Sequence, residues 1–161
     1  MKAAIYPGSF DPLTKGHLDI IKRSSMIFDK LIIAVTDDNN KKTMFSVEER
    51  SIMIQKETLE FDNVEVQIFS GLLMDYAELK KINVIIRGLR VLSDFEFEFK
   101  MAMMNRGLNN KVDTLFLMPN ERYVHISSSL IKEIASLGGD ISNYVSPYIL
   151  NKIKNKDSFE K

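Results

Sequence analysis

Three short segments of the sequence gather the residue types that hold phosphates. The first reads Tyr6-Pro7-Gly8-Ser9-Phe10-Asp11-Pro12-Leu13-Thr14-Lys15-Gly16-His17. It follows an apolar run of strand length and leads into a segment of helical spacing, so the unpaired N–H groups of a helix start should face a ligand beyond the strand. Gly8 and Gly16 allow close backbone approach, Ser9 supplies a hydroxyl and a backbone donor, and His17 projects from the first helical turn. The second segment runs Ile85-Ile86-Arg87-Gly88-Leu89-Arg90, then Ser93-Asp94-Phe95-Glu96-Phe97-Glu98. Two guanidinium groups flank a glycine at a strand end, where each could grip a phosphate with two bonds. The third, Ile126-Ser127-Ser128-Ser129-Leu130-Ile131-Lys132-Glu133, puts three serines at a helix start, with hydroxyls and free N–H groups for an anion.

Each segment also has a plainer reading. Gly, Pro and Asp build turns, a lone histidine is usually an exposed helix residue, Arg87 and Arg90 could face solvent paired with Glu96 and Glu98, and serines cap helices. Two further positions are weaker still. Lys41 stands in the polar loop Asp37 to Phe45, where Lys42 beside it would be equally solvated, and Leu73 follows Gly71 at another helix start, where apolar core is the simpler reading. Neither G-x-x-x-x-G-K-[ST] nor G-x-G-x-x-G occurs, so any nucleotide must be held by other means.

These residues need a frame. Apolar runs of strand length recur at Ala3 to Tyr6, Leu31 to Val35, Val64 to Phe69, Val84 to Ile86 and Leu115 to Met118, which suits strands buried on both faces. Helical segments lie between them; in His17 to Phe28, Ile20 with Ile27 and Ile21 with Phe28 form one stripe. Ser46 with Glu49 and Ser93 with Glu96 are expected capping boxes. Alternation of strand and helix about five times predicts an α/β fold with a largely parallel sheet, which binds ligands beyond the carboxyl ends of its strands. Gly138-Gly139-Asp140 marks a break before an amphipathic stretch from Ile141 to Ile153, and 155–161 reads as a frayed tail.

The 161 residues suit a single domain, 1–161. Twenty-two basic against 22 acidic residues leave no field that would favour nucleic acid or an anionic membrane. Without cysteine there is no thiolate nucleophile or Cys-based zinc site, and two histidines make a His-rich metal centre unexpected. Short apolar runs and the absence of a signal-like start suggest a cytoplasmic location.

Taken together, Thr14-Lys15-Gly16-His17 resembles the T/H-x-G-H signature of the nucleotidyltransferase superfamily that includes phosphopantetheine, nicotinamide mononucleotide and glycerol-3-phosphate transferases. The lead Tyr6 to Pro12 narrows the likeness to the bacterial phosphopantetheine adenylyltransferases. The I-R-G-L-R string with D-F-E-x-E, the I-S-S-S-x-[VIL]-[KR]-E string and Lys41-Lys42-Thr43-Met44-Phe45 look like hallmarks of the same family. The resemblance spans Ala4 to about Tyr148, departing at Val124 and His125, where relatives carry a small and an aromatic residue.

The resemblance implies a Rossmann-like, doubly wound, mainly parallel five-stranded sheet with helices on both faces. It implies transfer of AMP from ATP to 4′-phosphopantetheine by direct in-line displacement, giving dephospho-coenzyme A and pyrophosphate. Because the acceptor is a phosphate already ionised at neutral pH, no general base is required, and positioning plus electrostatics remain. Carried onto this sequence, His17 stabilises the transition state and also touches ATP, with Lys41 beside it as a second catalytic and acceptor-binding group. Ser9, Leu73 and Arg87 hold the acceptor. Ser9, Phe10, Gly88, Leu89, Arg90, Glu98 and the stretch Tyr123, Val124, His125, Ile126, Ser127, Ser128 and Ser129 hold ATP, Val124 and His125 through backbone. Mg2+ would travel with ATP and pyrophosphate and is assigned no protein ligand. A homohexamer is implied, with Phe95, Phe97 and the Met101 to Met104 cluster as candidate contact residues, and coenzyme A is a candidate feedback ligand. The direction of the His17 pKa stays open, since a helix start opposes protonation and phosphates favour it.

Overall fold

The computed structural model describes residues 1–37, 42–90 and 92–157, with backbone alone at 92–94 and 157. Strands β1 (Ala3–Gly8), β2 (Lys30–Thr36), β3 (Val64–Phe69), β4 (Val84–Gly88) and β5 (Asp113–Leu117) form one parallel sheet in the order β3-β2-β1-β4-β5. Helices α1 (Lys15–Ile27), α2 (Val47–Glu57), α3 (Leu73–Lys80) and α4 (Leu92–Leu108) connect the strands, and α5 (Ser128–Ser136) and α6 (Pro147–Asp157) follow. This is the parallel α/β sheet expected from the alternation, in the doubly wound, five-stranded form that the resemblance implies.

The three inner strands, β2, β1 and β4, explain the core. Successive side chains of a strand point to opposite faces. Tyr6, Leu31, Ile33, Val35 and Ile86 therefore join one apolar cluster with Ile20 and Ile21 of α1, Met53 and Ile54 of α2, Ile131 of α5 and Ile149 and Ile153 of α6. Ile5, Ile32, Ala34 and Ile85 enter the other, with Met74 and Ala77 of α3. Ile141, Val145, Ile149 and Ile153 recur every fourth residue and are all buried, so the C-terminal segment closes the first cluster. Gly138 takes a φ of +78°, a left-handed conformation that ends α5 where the sequence shows its break.

Several expectations need correction. Burial on both faces holds for β1 and β2, whereas the edge strands β3 and β5 are only partly buried, with Glu65 and Ile68 of β3 and Asp113 and Leu115 of β5 exposed. An edge strand has a neighbour on one side only, so polar residues are tolerated there. Ile27 leaves the buried stripe and is 52% exposed, because α1 ends at it, while Phe28 turns inward as the C-cap. The Ser46–Glu49 capping box forms, with reciprocal bonds of 3.2 and 2.8 Å. The one expected at Ser93 does not start α4, which begins at Leu92, and the Ser93 side chain lies outside the described residues. Residues 155–157 of the expected tail are helical, as the end of α6, and 158–161 lie outside the described residues.

The strands β1 and β4 each extend two residues past their apolar runs, to Gly8 and Gly88. Those extensions bring Pro7, Gly8, Arg87 and Gly88 to the carboxyl edge of adjacent strands, where the chain turns to opposite sides of the sheet. By contrast, among the described residues α4 contributes no side chain to either apolar cluster. It leaves Phe97 63% and Met104 64% exposed, with Phe95, Phe99, Met101, Met103 and Leu108 also open to solvent. Among the described residues no helix is long and apolar enough to cross a membrane.

Candidate active site

At the carboxyl ends of β1 and β4 lies a cavity of about 280 Å³. The strand tips from Tyr6 to Gly8 and Arg87 with Gly88 form its floor, and Ser9, Phe10, Gly16 and His17 line the α1 side. Arg90, Glu98 and the stretch Ile126 to Ser129 complete it. All three phosphate-gripping segments read from the sequence thus meet at one cavity.

His17 owes its orientation to a helix cap. Thr14 is the N-cap of α1, and its hydroxyl accepts from the His17 N–H at 3.3 Å. In return the Thr14 backbone N–H donates to His17 Nδ1 at 3.1 Å, and the hydroxyl oxygen stands 3.2 Å from the same nitrogen. This is a capping box in which imidazole takes the place of the usual Glu or Gln. A backbone N–H can only donate, so Nδ1 must carry its lone pair and the neutral ring holds its proton on Nε2. The rings of Phe10 and His17 meet edge to face at 5.1 Å between centroids, and Phe10 meets Tyr6 likewise at 5.3 Å. Burial against this aromatic wall, with Arg90 and Arg87 nearby, pushes the His17 pKa down to about 4. The direction left open by the sequence is thereby given for the protein without ligand: a neutral ring that donates from Nε2.

Two close approaches fix the floor. Phe10 has a φ of +50°, which folds its ring back over Gly8, so that a Cβ at Gly8 would stand 3.0 Å from the ring. At Gly88 a Cβ would stand 2.6 Å from Ile20 Cδ1, so glycine there lets β4 pack against α1. Gly16 differs, since its nearest neighbour would be Tyr123 Cβ at an ordinary 3.5 Å.

Arg87 lines the cavity, its side chain 31% exposed, and the pairing with Glu98 that the plainer reading allowed is present. Nε and Nη2 donate to the two Glu98 carboxylate oxygens at 2.7 and 2.6 Å, and Nη1 donates to Pro7 O at 3.2 Å. One N–H on each terminal nitrogen is left for a phosphate. Glu98 thus spends both oxygens on Arg87, and Glu96 pairs with Lys100 at 3.5 Å. Arg90 donates through Nη1 to Ile126 O at 2.8 Å, tying the β4 end to the segment before α5.

The serines divide their work. Ser127 caps α5 by accepting from Leu130 N–H at 3.1 Å, Ser128 donates to Pro12 O at 2.8 Å, and Ser129 lines the cavity. Other expected residues stand apart from it. Leu89 N–H donates to Leu117 O at 2.9 Å, extending the β4–β5 pairing. Tyr123 packs on Gly16 and its carbonyl accepts from Ile126 N–H, while Val124 closes the single 3-10 turn Glu121–Tyr123. His125 is exposed, with its ring edge on Tyr144 at 5.9 Å. Leu73 packs against the apolar cluster on the α3 face, in accord with its core reading. Lys41 lies outside the described residues.

Three residues bracing the site went unread. Asp11, 3% exposed, accepts from Met44 and Phe45 N–H groups and pairs with Lys132. Arg50, 2% exposed, donates to the carbonyls of Phe45, Ser9 and Thr36. Asp11 was hidden in a turn rich in turn formers. Arg50 did leave a signal, since with Val47, Met53 and Ile54 it occupies the apolar stripe of α2, where an arginine needs buried partners.

The His17 shift has a sign that can be checked. A pKa depressed to about 4 from the ordinary value near 6.5 means that the unfolded chain binds more protons between those values. Stability from this group is complete above the upper value and is lost as pH falls through the window. His17→Asn keeps an acceptor for the Thr14 N–H and removes the titration. Its melting temperature should therefore fall less than the parent's between about pH 7 and about pH 4.5 by calorimetry; equal losses would place the titration elsewhere.

Comparison with known proteins agrees with this geometry. Residues 5–134 match the cytidylyltransferase-like family. A phosphopantetheine adenylyltransferase of Clostridium botulinum is 53% identical over 161 residues, covering all of this chain and 98% of that one. Another from Clostridium perfringens is 50% identical over 158 residues, covering 98% and 96%. Among solved structures, a Plasmodium falciparum nicotinic acid mononucleotide adenylyltransferase complexed with NaAD superposes with a TM-score of 0.71 at 16% identity, over 99% of this chain and 97% of that one. A lipopolysaccharide core biosynthesis protein from Thermoplasma volcanium superposes with a TM-score of 0.53 at 23% identity, over 74% and 97%. Those two likenesses speak for the fold, whereas the clostridial ones cover the whole chain at half its residues. The chain belongs to the cytidylyltransferase-like family and, within it, to the phosphopantetheine adenylyltransferases.

Proposed function

We propose that the protein moves AMP from ATP to 4′-phosphopantetheine, giving dephospho-coenzyme A and pyrophosphate, as a cytoplasmic enzyme of coenzyme A biosynthesis. The observation that carries the reading is the meeting of the His17 cap, the Arg87–Gly88–Arg90 strand end and the α5 serines at one cavity. Each of these carries groups able to donate to oxyanions, and together they can hold two phosphate-bearing substrates side by side.

The reaction brings two anions into line, and the attacking phosphate oxygen needs no base. Catalysis then rests on geometry and on neutralising the charge that grows on the α-phosphate. His17 is suited to this as a neutral donor whose orientation is fixed before substrate arrives, since Nδ1 is occupied by Thr14. A bond from Nε2 gains strength as charge gathers on the phosphoryl oxygens, and so favours the transition state over the ground state. Arg87 offers the acceptor phosphate its remaining N–H pair while Glu98 holds the guanidinium still. Ser9 and Leu73 would complete the acceptor site. Phe10, Gly88, Leu89, Arg90 and the stretch Tyr123 to Ser129 would take ATP, the exposed start of α5 receiving its phosphates. Glu98 serves that arrangement through Arg87. Lys41 would add a second cation near the α-phosphate. Magnesium enters as part of the ATP substrate, bound by phosphate oxygens and water. Coenzyme A, which contains the whole of the product plus one phosphate, is the candidate feedback ligand.

Pyrophosphate release should require ATP and phosphopantetheine together, and His17→Ala should lower turnover about a hundredfold while ATP still binds. Release without the acceptor, or only with a different phosphate-bearing acceptor, would displace the reading; parent-like turnover in the variant would remove His17 from its role.

The exposed apolar face of α4 supports assembly into a homohexamer. Phe95 and Phe99 stack at 5.7 Å between centroids, and the neighbouring Phe97, Met101, Met103 and Met104 remain open to solvent. Apolar surface of this kind is rarely left bare. Sedimentation at micromolar concentration should give six chains, and a mass of one chain would contradict the assembly.

A further inference from the structure

The β1–α1 loop and α5, which both line the cavity, meet the loop between β2 and α2 at one carboxylate outside it. Asp11 lies between Phe10 and Thr14 in the loop from β1 to α1. Its Oδ1 accepts from Phe45 N–H at 2.9 Å, and its Oδ2 accepts from both Met44 N–H at 2.9 Å and Lys132 Nζ at 2.8 Å. Met44 and Phe45 belong to the loop between β2 and α2, on which the sequence also places Lys41. Lys132 stands on α5, about one turn beyond the serines that line the cavity. Three further bonds close the same junction. Ser128 Oγ donates to Pro12 O, and Arg50 donates to Ser9 O at 2.6 Å and to Phe45 O at 3.1 Å. Phe45 is thus held at both its N–H and its carbonyl, each time by a buried charge.

We propose that Asp11 is a positioning residue that couples the nucleotide side of the site, carried by α5, to the loop between β2 and α2, through Lys132. The inference rests on the adenylyl-transfer reading for its effect on turnover, and on geometry alone for the junction itself.

Asp11 touches no reacting atom. Its carboxylate supplies acceptors to three donors from two elements, and no single neutral side chain of the same shape can do so. In Asp11→Asn the amide NH2 must face either Phe45 N–H or Met44 N–H with the Lys132 ammonium, so at least one donor meets a donor. Lys132→Met is gentler, because Asp11 keeps both N–H bonds. Lys132→Arg keeps the cation and the link. The two residues act as one unit, so their effects should not add.

Steady-state turnover of pyrophosphate is measured for the four variants with both substrates, and hydrogen exchange is followed at the Met44 and Phe45 amides. In Asp11→Asn kcat should fall about thirtyfold or more, the size expected for displaced catalytic groups, with KM values moving about threefold at most. Lys132→Met should lose about tenfold, Lys132→Arg should stay within about threefold of the parent, and Asp11→Asn with Lys132→Met should be no worse than Asp11→Asn alone. Exchange at Met44 should quicken in Lys132→Met and return in Lys132→Arg. A role confined to stability would lower the melting temperature and leave kcat at 25 °C near the parent value, which would overturn the proposal. Should Asp11→Asn fail to fold, the Lys132 pair decides: parent-like kcat and exchange in Lys132→Met reject the coupling. If the parent itself releases no pyrophosphate with phosphopantetheine, the reaction reading fails, while the exchange at Met44 still accepts or rejects the junction.

Discussion

The pairing of β1 with β4 is the constraint from which the site follows. These strands are neighbours in the sheet, register Ile5 against Ile85, yet the chain leaves β1 towards β2 and leaves β4 towards β5. With the two connections diverging, the carboxyl edge between them is left open among the described residues. That opening needs a floor that admits phosphates, and glycines at both strand tips supply it, one beneath the Phe10 ring and one against Ile20. The rest of the fold braces this edge: α1 brings His17 to one side, and α5, closed against the sheet by Ile131 and the buried isoleucines of the C-terminal segment, brings the serines to the other.

Chemistry and helix capping share one residue pair. The same Thr14–His17 exchange that satisfies an end of α1 also fixes which ring nitrogen carries the proton. Burial then keeps the ring neutral, so His17 is a donor set in place rather than a cation attracted to phosphate. The cationic groups that line the cavity are instead Arg87, paired with Glu98, and Arg90, which also donates to Ile126 O. A site built this way attracts phosphates through its arginines and reserves the histidine bond for the atom on which charge develops.

Much of this was legible in the sequence, because strand and helix periods, glycine at strand ends and serine at helix starts are local properties. The order of elements and the three phosphate-binding segments were read from such features. The T-x-G-H string was legible as a resemblance, but its physical meaning as a capping box with imidazole was not, since the usual box ends in Glu or Gln. Asp11 and Lys132 were hidden for another reason. They are 121 residues apart, and neither departs from the ordinary composition of a turn or a helix surface. The Arg87–Glu98 pair is legible in the sequence as a pair but not as part of the site, because spacing alone cannot say whether a pair faces solvent or a cavity. Edge strands were overread as buried, since an apolar residue at a strand's start does not reveal which neighbours it has.

The state of the His17 ring tests the central claim most directly, and nitrogen-15 spectroscopy of the imidazole in the ligand-free protein reads it. At about pH 7 the expected spectrum has the proton on Nε2 and an unprotonated Nδ1, and this neutral form should persist on acidification until pH approaches about 4. A proton on Nδ1, or a doubly protonated ring at neutral pH, would contradict both the cap geometry and the role of His17 as a neutral donor.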